Sequence, residues 1–564
     1  MRRLLSLLAL LLVLVPTAAH ANPISQSFAD TFADPVIVPG GDGYYYAYGT
    51  TDPLREGEKV AHRIPIARSK NLVNWTYVGD AFSATQRPAF AAENTSFWAP
   101  DVRRIGNRWV MYVTVTETTV APGASAIGAA TAPTPTGPWT FVDTPVVAPR
   151  PSGDGGWLWT FDPAMLATPD GRKFLYYGSY FGGIWVSELT PDGLHTTGTA
   201  TRVAIDNKFE GAYVVRKNGW YYLFASSANC CAGPTTGYSV SAGRSRDPRG
   251  PFVDKLGQSL NVSRAGGTPV IAPNGNRWVG TGHNGIVTDR LGQDWFVYHA
   301  IDRNDPYLNE PFGINERPML LDRLDWINGW PTVRAGYWAS DVLRDKPNHP
   351  QGHVRPAPVP APRFPLFSDE FRGNALGAGW TFVRPDAAVT VVGGRLNWPV
   401  QGADLTGTSN NAGVLLRDAP KGRWIAETKL TLPLGEDTVR NYQQAGLIAY
   451  VNDDLFARLD VVAIWNTRQV EFGYEIPYAG ALSYGGNIAG TPGLETTWLR
   501  LAHRTDAGGE HKYRAGVSRD GRHWTWGGVW TLPANTTPRI GLVAHGGANP
   551  PVTASFDYLR FSRW

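Results

Sequence analysis

The stretch DPVIVPGGDGYYYAYGT, residues 34–50, joins a short extended run to an aromatic run through a glycine-containing turn. Two β-strands connected by a tight turn have this pattern. The pattern returns four times along the chain: PDVRRIGNRWVMYVTV at 100–115, DPAMLATPDGRKFLYYGS at 162–179, EGAYVVRKNGWYYLFAS at 210–226 and HNGIVTDRLGQDWFVYHA at 283–300. A unit that recurs in this way predicts a repeat architecture.

Most copies are followed by further extended runs, such as IPIARSKNLVNWTYV at 64–78 and GIWVSELTPDG at 183–193. The repeat starts are separated by 67, 61, 48 and 73 residues, which suits four-stranded sheets with loops of variable length. Five such sheets around one axis form a five-bladed β-propeller. We predict this fold for residues 22–345.

Composition excludes several other classes. Lys plus Arg number 52 and Asp plus Glu 48, so a formal charge of +4 gives no electrostatic reason to expect nucleic acid or an anionic membrane as partner. Aromatic residues make up 12%, and 63 glycines and 44 prolines punctuate the chain. Disorder, coiled coil and helical bundle do not have this composition. An all-β protein does.

The first 21 residues, MRRLLSLLALLLVLVPTAAHA, have the pattern of a secretory signal peptide. Two arginines precede an apolar run, and Ala19-His20-Ala21 forms a small-x-small cleavage site. The apolar run is too short to span a bilayer. We therefore expect a secreted, monomeric protein without a membrane anchor, beginning at Asn22.

One residue opens each repeat. If the first strand of every blade lines the axis, these residues converge at one mouth of the central channel: Asp34, Asp101, Asp162, Glu210 and His283. A ring of four acids and an imidazole predicts an enzyme site or a cation site. Fingerprints of serine esterases, zinc proteases and nucleotide enzymes are missing from a suitable context. Paired carboxylates in an aromatic-lined pocket suit hydrolysis of a glycosidic bond.

With these motifs the chain resembles glycoside hydrolase family 43. The matching segments are ADPVIV at 33–38, FWAPDV at 97–102, FDPAML at 161–166, FEGAYV at 209–214, GHNG at 282–285 and ERPMLLDRLDWINGWPTV at 316–333. The resemblance covers about residues 30–340. It implies a five-bladed propeller and a glycosidase that inverts anomeric configuration.

The resemblance also implies roles for the acids. Asp34 corresponds to the general base that activates water, and Glu210 to the general acid. Asp162 corresponds to a third carboxylate that orients the acid and raises its pKa, as a nearby negative charge does. In this family the WAPD motif carries no proton-transfer role, so we interpret Asp101 as structural.

Other residues of the matching motifs are candidates for binding substrate. Trp98 is either a platform that stacks on sugar or a residue buried between blades. Further candidates for the pocket are Trp159, Ser179 and Tyr180.

Two more residues resemble family features near the site. His283 resembles a histidine that helps to hold a central metal, usually Ca²⁺, largely through water; the alternative is a hydrogen-bonded channel histidine without an ion. Arg317 resembles an arginine beside the site, and its alternative is a structural ion pair with Glu316 or Asp322.

Within the family, residues 207–245 are most similar to arabinan-degrading members, although Ala212 stands where proline is frequent and the Asp162 motif begins TFDP. This likeness implies hydrolysis of α-1,5-linked L-arabinan, a plant cell-wall polysaccharide, by internal cleavage. The alternatives are an exo-acting β-xylosidase or α-L-arabinofuranosidase of the same family, and a non-catalytic carbohydrate-binding protein.

The C-terminal part is separated by a proline-rich stretch. Residues 346–365 contain seven prolines, the composition of an extended, semi-rigid linker. Residues 366–564 have long alternating runs and few helix signals, which predicts a two-sheet sandwich, and they resemble a concanavalin A-like module. This domain either binds polysaccharide, with Trp465, Tyr474 and Trp526 as candidates, or packs on the propeller and shapes its site.

The only two cysteines, Cys230 and Cys231, are adjacent. They cannot connect distant parts of the fold or supply a four-ligand zinc site. The sequence leaves open whether they form a vicinal disulfide or two buried thiols.

Overall fold

The structure is a computed structural model that describes residues 22–336, 338–341, 347 and 358–564. The predicted signal segment 1–21 lies outside the described residues, and so does most of the predicted linker. Apart from three short 3-10 turns, Gly233–Thr235, Arg334–Gly336 and Pro365–Phe367, the regular elements are β-strands.

The N-terminal half folds as successive four-stranded antiparallel sheets, each in sequence order. Blade 1 consists of β1 (Val36–Pro39), β2 (Tyr45–Tyr48), β3 (Pro65–Ser69) and β4 (Thr76–Asp80). Blade 2 consists of β5 (Phe97–Ile105), β6 (Arg108–Val115), β7 (Ala126–Ala132) and β8 (Thr140–Phe141). A ribbon of β9 (Arg150–Pro151) and β10 (Trp157–Leu158) leads to blade 3.

The other three blades repeat the arrangement. Blade 3 consists of β11 (Ala164–Ala167), β12 (Lys173–Tyr177), β13 (Ile184–Leu189) and β14 (Thr196–Ala204). Blade 4 consists of β15 (Phe209–Lys217), β16 (Trp220–Ser227), β17 (Ser239–Ser245) and β18 (Thr268–Ile271). Blade 5 contains β19 (Trp278–Thr288) and β20 (Asp294–Asp302), then a ribbon of β21 (Tyr307–Leu308) and β22 (Ile314–Asn315), then β23 (Met319–Ile327) and β24 (Trp330–Val333).

The blades close into a ring. The first strand of each blade contacts the first strand of the next, and β19 returns to β1. The N-terminal segment strengthens this closure, because Ile24 N–H donates to Met319 O at 2.9 Å and Asn22 Nδ2 donates to Ser340 Oγ at 2.9 Å. The five-bladed propeller predicted from the repeats is confirmed.

The C-terminal half is a sandwich of two seven-stranded antiparallel sheets. Its strands are β25 (Thr381–Val383), β26 (Thr390–Val392), β27 (Arg395–Pro399), β28 (Leu405–Thr406), β29 (Ser409–Asn410), β30 (Val414–Arg417), β31 (Trp424–Thr431), β32 (Gln444–Asn452), β33 (Leu455–Ile464), β34 (Thr467–Tyr478), β35 (Ala481–Gly490), β36 (Thr496–Thr505), β37 (His511–Ser518), β38 (Trp524–Leu532), β39 (Arg539–His545) and β40 (Thr553–Ser562). The first sheet has the order β25-β30-β39-β32-β33-β34-β35 and the second the order β26-β27-β40-β31-β36-β37-β38, while β28 and β29 form a ribbon. The predicted all-β fold with a second, sandwich unit is therefore confirmed.

The sandwich core lies between its two sheets. Leu459 and Phe472 of the first sheet pack in one apolar cluster with Trp424, Leu501 and Phe556 of the second. Alternate residues along each strand point into this cluster, as the period of a half-buried strand requires.

The sandwich packs directly against blades 4 and 5. Arg264 of the propeller is buried and donates to the carbonyl oxygens of Gly493 at 3.1 Å and Leu494 at 2.8 Å, and it also pairs with Glu436. A side chain at Gly237 would collide with the backbone of Gly486, so the two domains approach at backbone distance. The sandwich is therefore fixed on the propeller rather than merely tethered to it.

Cys230 and Cys231 are joined by a disulfide bond. This resolves the question that the sequence left open. The disulfide bond lies in the loop between β16 and the 3-10 turn Gly233–Thr235. That 3-10 turn contacts β35 of the sandwich.

Candidate active site

Five residues with left-handed backbone conformation mark the same place in the five blades. Each interrupts or immediately precedes the innermost strand, and their φ angles lie between 47° and 59°: Asp34, Ala99, Asp162, Gly211 and His283. Non-glycine residues seldom adopt this conformation, and where they do the strain is a common mark of functional sites. The strands therefore turn at one mouth of the channel and present their side chains there.

A second repeated position holds this turn in place. The backbone N–H of four of the five residues donates to a side chain at the end of the second strand of the preceding blade. The accepting side chains are Thr50 for Ala99 at 2.9 Å, Thr114 for Asp162 at 3.0 Å, Ser226 for His283 at 3.0 Å and His299 for Asp34 at 3.2 Å. In blade 4 the pattern changes, because Gly211 N–H donates to the carboxylate of Asp162 at 3.0 Å.

Asp101 does not occupy the position that its place in the repeat predicts. Ala99 stands there instead, two residues earlier. Asp101 is buried between blades 2 and 3, where it pairs with Arg103 at 3.0 Å and accepts the N–H of Met165 at 2.7 Å. The mouth therefore carries three of the four predicted acids, and Asp101 links two blades.

Asp34 lies in a positively charged, hydrogen-bonded setting. Thr50 Oγ1 donates to Asp34 Oδ2 at 2.6 Å, while His283 Nδ1 at 3.3 Å and Arg317 Nη1 at 3.5 Å approach Oδ1. Burial alone would raise the pKa of Asp34, but His283 and Arg317 outweigh it and hold that pKa well below its ordinary value. Asp34 is therefore ionised and able to accept a proton.

Asp162 and Glu210 form the opposite kind of environment. Burial and the charges of Glu210 and Asp34 raise the pKa of Asp162 well above its ordinary value. Burial also raises the pKa of Glu210, against hydrogen bonds from Ser179 at 2.9 Å and from Tyr238. These two carboxyls interact and titrate as a pair, which holds one proton more strongly than isolated acids do. The site thus keeps the ionised carboxylate of Asp34 close to a pair of carboxyls that retains a proton.

Gly211 allows this crowding. A Cβ at Gly211 would lie 3.2 Å from both Ser226 Oγ and the Tyr238 hydroxyl, and 3.4 Å from His283 Nδ1. Glu210 precedes the left-handed position by one residue. Its register with β16 shifts at this point, which turns its carboxyl toward the mouth.

Arg317 lies at the site rather than in the alternative ion pair that its sequence neighbours suggest. Besides Asp34, it contacts Asp52 Oδ2 at 3.4 Å. Burial raises the pKa of Asp52 to about 6, partly offset by Arg317. The guanidinium therefore neutralises two carboxylates on the Asp34 side of the mouth.

Aromatic side chains line the approach to the acids. Trp98 is 39% exposed, and its ring lies 5.8 Å from that of Phe161, so it is not buried between blades. Trp159 is 37% exposed and stacks on Phe161 with ring centroids 5.2 Å apart. Tyr180 packs edge-on against the exposed Phe181 at 5.0 Å. Faces of this kind suit the apolar faces of sugar rings.

His283 faces Asp34 through Nδ1, and burial lowers its pKa. The described residues contain no group of three or more His, Cys, Asp or Glu side chains placed to hold a metal ion. Without such a cluster in the described residues, His283 could offer a cation an imidazole nitrogen, and water would have to supply most other ligands. This donor set fits only a hydrated ion.

Sequence reasoning missed His299, Asp52 and Tyr238. His299 is fully buried, burial lowers its pKa to about 4, and its neutral ring accepts the N–H of Asp34. A signal was present, because Thr50, Thr114, Ser226 and His299 each end the aromatic run of a repeat. For Asp52 and Tyr238 the sequence has no comparable repeated pattern.

Comparisons with known proteins show which family the chain belongs to. The model of Glycosyl hydrolases family 43 matches residues 20–331. An extracellular exo-α-(1→5)-L-arabinofuranosidase of Cellvibrio japonicus is 32% identical over 326 residues, which cover 53% of this chain and 85% of that protein. An extracellular endo-α-(1→5)-L-arabinanase of Bacillus subtilis is 28% identical over 310 residues, 53% of this chain and 86% of that protein.

Among solved structures, the α-L-arabinanase of Cellvibrio cellulosa in complex with arabinohexaose is 28% identical, with a TM-score of 0.46 over 56% of this chain and 98% of that one. The family match spans more than half of the chain, including all three acids at the mouth. The protein therefore belongs to glycosyl hydrolases family 43 and is an enzyme that hydrolyses glycosidic bonds.

Proposed function

We propose that this protein hydrolyses α-1,5-linked L-arabinan by internal cleavage with inversion of anomeric configuration. The observation that carries the mechanism is the set of three carboxyls brought together from blades 1, 3 and 4, with Arg317 against one of them and Ser179 and Tyr238 against another. Two carboxyls in different protonation states are what a single-displacement glycosidase requires.

In the proposed reaction Asp34 is the general base and Glu210 the general acid. Asp34 takes a proton from water, and the water oxygen forms a bond to the anomeric carbon. The bond from that carbon to the glycosidic oxygen breaks, and Glu210 gives its proton to the departing oxygen. Asp162 has the role of orienting Glu210 and raising its pKa, because the two carboxyls interact electrostatically.

The substrate is proposed from the relatives. The two named above are an exo-acting arabinofuranosidase and an endo-acting arabinanase, and the described aromatic faces suit a sugar chain. The structure of the mouth is compatible with the alternatives as well, namely an exo-acting β-xylosidase or α-L-arabinofuranosidase.

Digestion of linear α-1,5-arabinan tests the proposal, with the products resolved by size and p-nitrophenyl arabinofuranoside and xyloside assayed in parallel. A ladder of short oligomers, with the new reducing ends released as the inverted anomer, is the expected result. Arabinose alone would show exo cleavage, and activity on the small glycosides alone would favour the alternative enzymes. No turnover of any of these substrates would contradict the proposed arabinan specificity.

The pH profile should depend on Arg317. This residue lowers the pKa of Asp34 and also that of Glu210. In Arg317→Met both values should rise, so both limbs of the kcat/KM profile should move to higher pH, by about one unit. A profile measured between pH 4 and 10 checks this, with Arg317→Lys as the charge-preserving control. An unshifted profile in Arg317→Met would contradict the electrostatic role.

We also propose that hydrated Ca²⁺ binds in the central channel beside His283. Such an ion would fix the water network beneath the acids. Ca²⁺ added to chelator-treated protein should raise the Tm, because a ligand that binds only the folded state stabilises it. His283→Ala should remove this Ca²⁺-dependent shift. The same shift in wild type and His283→Ala would contradict the site.

Three further proposals concern where the enzyme acts, the type of its second domain and its oligomeric state. We propose secretion, supported by the signal-like segment 1–21 and by the two relatives, both named as extracellular. In the described chain, no helix has the length and apolar character to cross a membrane. We further propose that the sandwich is a concanavalin A-like module and that the protein is a monomer. N-terminal sequencing of exported protein and light scattering test the cleavage site and the mass.

A further inference from the structure

The sandwich reaches the propeller directly beside the acid Glu210. The turn between β33 and β34 contains Trp465 and Asn466, and it packs on the propeller segment that holds Asp206 and Asn207. Asn207 Nδ2 donates to Asn466 Oδ1 at 2.7 Å, and Asn466 Nδ2 donates to Asp206 Oδ1 at 2.9 Å. This segment ends three residues before Glu210.

The same segment is bonded to the loop that carries the residues next to Glu210. Asn207 N–H donates to the carbonyl oxygen of Tyr180 at 2.8 Å, and Gln469 Nε2 of β34 donates to the carbonyl oxygen of Asn207 at 3.0 Å. Ser179, which precedes Tyr180, donates to Glu210 at 2.9 Å. A short chain of hydrogen bonds therefore connects the sandwich turn to the acid.

Large aromatic side chains are left exposed at this junction. Tyr442 is 49% exposed, Trp465 is 47% exposed and Phe181 of the propeller is 46% exposed. They contribute little to a core, since nearly half of each side chain faces solvent. Large aromatic side chains that stay exposed where two domains meet are candidates for binding a ligand.

The two sandwich aromatics are also held in a costly conformation. Tyr442 has φ of 62° and Trp465 has φ of 49°, in the left-handed region that bulky residues rarely adopt. Hydrogen bonds from the backbone N–H hold both: Tyr442 N–H donates to the carbonyl oxygen of Ala463 at 2.7 Å, and Trp465 N–H donates to the side-chain oxygen Oδ1 of Asn441 at 3.0 Å. The strained backbone at these two positions lowers the stability of the fold, and it presents both rings to solvent beside the mouth.

Polar partners for sugar hydroxyls are close to the rings. Burial raises the pKa of Tyr180, and the neighbouring Tyr442, Glu471 and Glu210 raise it further, so these hydroxyl and carboxyl groups share one electrostatic environment. Glu471 is a partly buried acid on β34, and it accepts a hydrogen bond from Tyr484 at 3.3 Å. Aromatic faces with a few convergent polar groups are the usual lining of a carbohydrate site.

We propose that Tyr442 and Trp465 of the sandwich, with Tyr180 and Phe181 of the propeller, form a sugar-binding subsite that takes an arabinofuranosyl unit of the chain on the leaving-group side of Glu210. That side follows from chemistry, because a general acid faces the oxygen that departs and Tyr180 adjoins the residue that holds the acid. This inference rests on the proposed function. It assigns the sandwich a direct part in recognising longer substrates.

Binding by an inactive protein tests the subsite without turnover. In full-length Glu210→Gln, the affinity for arabinobiose and for arabinohexaose is measured by calorimetry. Adding Tyr442→Ala or Trp465→Ala should reduce the preference for the hexaose about tenfold, the effect of losing one well-packed aromatic contact. Tyr442→Phe should retain the preference. Val439→Ala, an exposed residue of the same loop, is the matched control and should also retain it.

The outcomes separate the two proposals. If Glu210→Gln prefers the hexaose and neither aromatic variant reduces that preference, the subsite is refuted while arabinan hydrolysis stands. If Glu210→Gln binds neither oligomer and the wild type does not digest arabinan, both proposals fail. Unchanged Tm values for the two aromatic variants would show that a loss of binding does not come from a loss of folding. The two substitutions lie in different segments, so if one variant fails to fold, the other still tests the subsite.

Discussion

Glu210→Gln is expected to lower kcat/KM on linear arabinan by about 10²–10⁴-fold, the usual contribution of a general acid. Glutamine keeps the size of the side chain and can still accept the hydrogen bond from Ser179. It cannot supply a proton to the departing oxygen. The sugar leaving group, whose conjugate acid is weak, depends strongly on that proton.

The leaving group distinguishes loss of the acid from general damage. A p-nitrophenolate needs little protonation, so Glu210→Gln should retain a much larger share of its activity on an activated aryl arabinofuranoside, provided that the wild type accepts this substrate. Ser179→Ala removes a donor to the same carboxyl and should cost far less than Glu210→Gln on arabinan. Equal losses of Glu210→Gln on both substrates would contradict the assignment of Glu210 as the acid.

The repeats explain why the propeller could be predicted from the sequence. Each copy carries its own turn and its own aromatic second strand, so five segments predict the same structural unit independently. A misassigned strand in one copy therefore does not change the predicted fold. The same redundancy identified Asp34, Asp162, Glu210 and His283, which the ring brings to one mouth. Their catalytic roles are proposed from the family motifs and from their electrostatic surroundings.

Asp101 shows where pattern alone fails. In the sequence an aspartate opens the second repeat as it opens the first and third. The strand β5 starts earlier than β1 or β11 does, and its register shifts between Trp98 and Asp101, so the left-handed position falls on Ala99. A bulge of this kind is set by packing between strands, and the spacing of residues does not reveal it.

The junction of the two domains could not be predicted for a different reason. Trp465, Tyr474 and Trp526 are alike as sequence, all aromatic residues in β-rich surroundings. Tyr474 is buried and stacks on Trp530 with ring centroids 4.8 Å apart, whereas Trp465 is exposed at a turn beside the mouth. Only the packing of the folded strands and domains separates a core aromatic residue from one that stays exposed where the two domains meet.

Asp34→Asn should reduce kcat on arabinan by about 10³-fold, within the range for loss of a general base. The amide can keep the hydrogen bond from Thr50, but it cannot take a proton from water. Because the low pKa of Asp34 sets the acid limb of the wild-type profile, that limb should disappear from the residual activity. The alkaline limb, which belongs to the Asp162 and Glu210 pair, should remain.

Asp52→Asn is the matched control, since it makes the same substitution on the other carboxylate of Arg317. Asp52 contacts the guanidinium and has no assigned part in proton transfer, so its loss should cost about tenfold or less and should leave both limbs in place. Binding of arabinohexaose to Asp34→Asn should remain within a few-fold of wild type, because the aromatic faces are intact. If the two variants lost activity equally, or if the acid limb persisted in Asp34→Asn, the charge at Asp34 would serve to order the site, and the base would have to be sought among its neighbours.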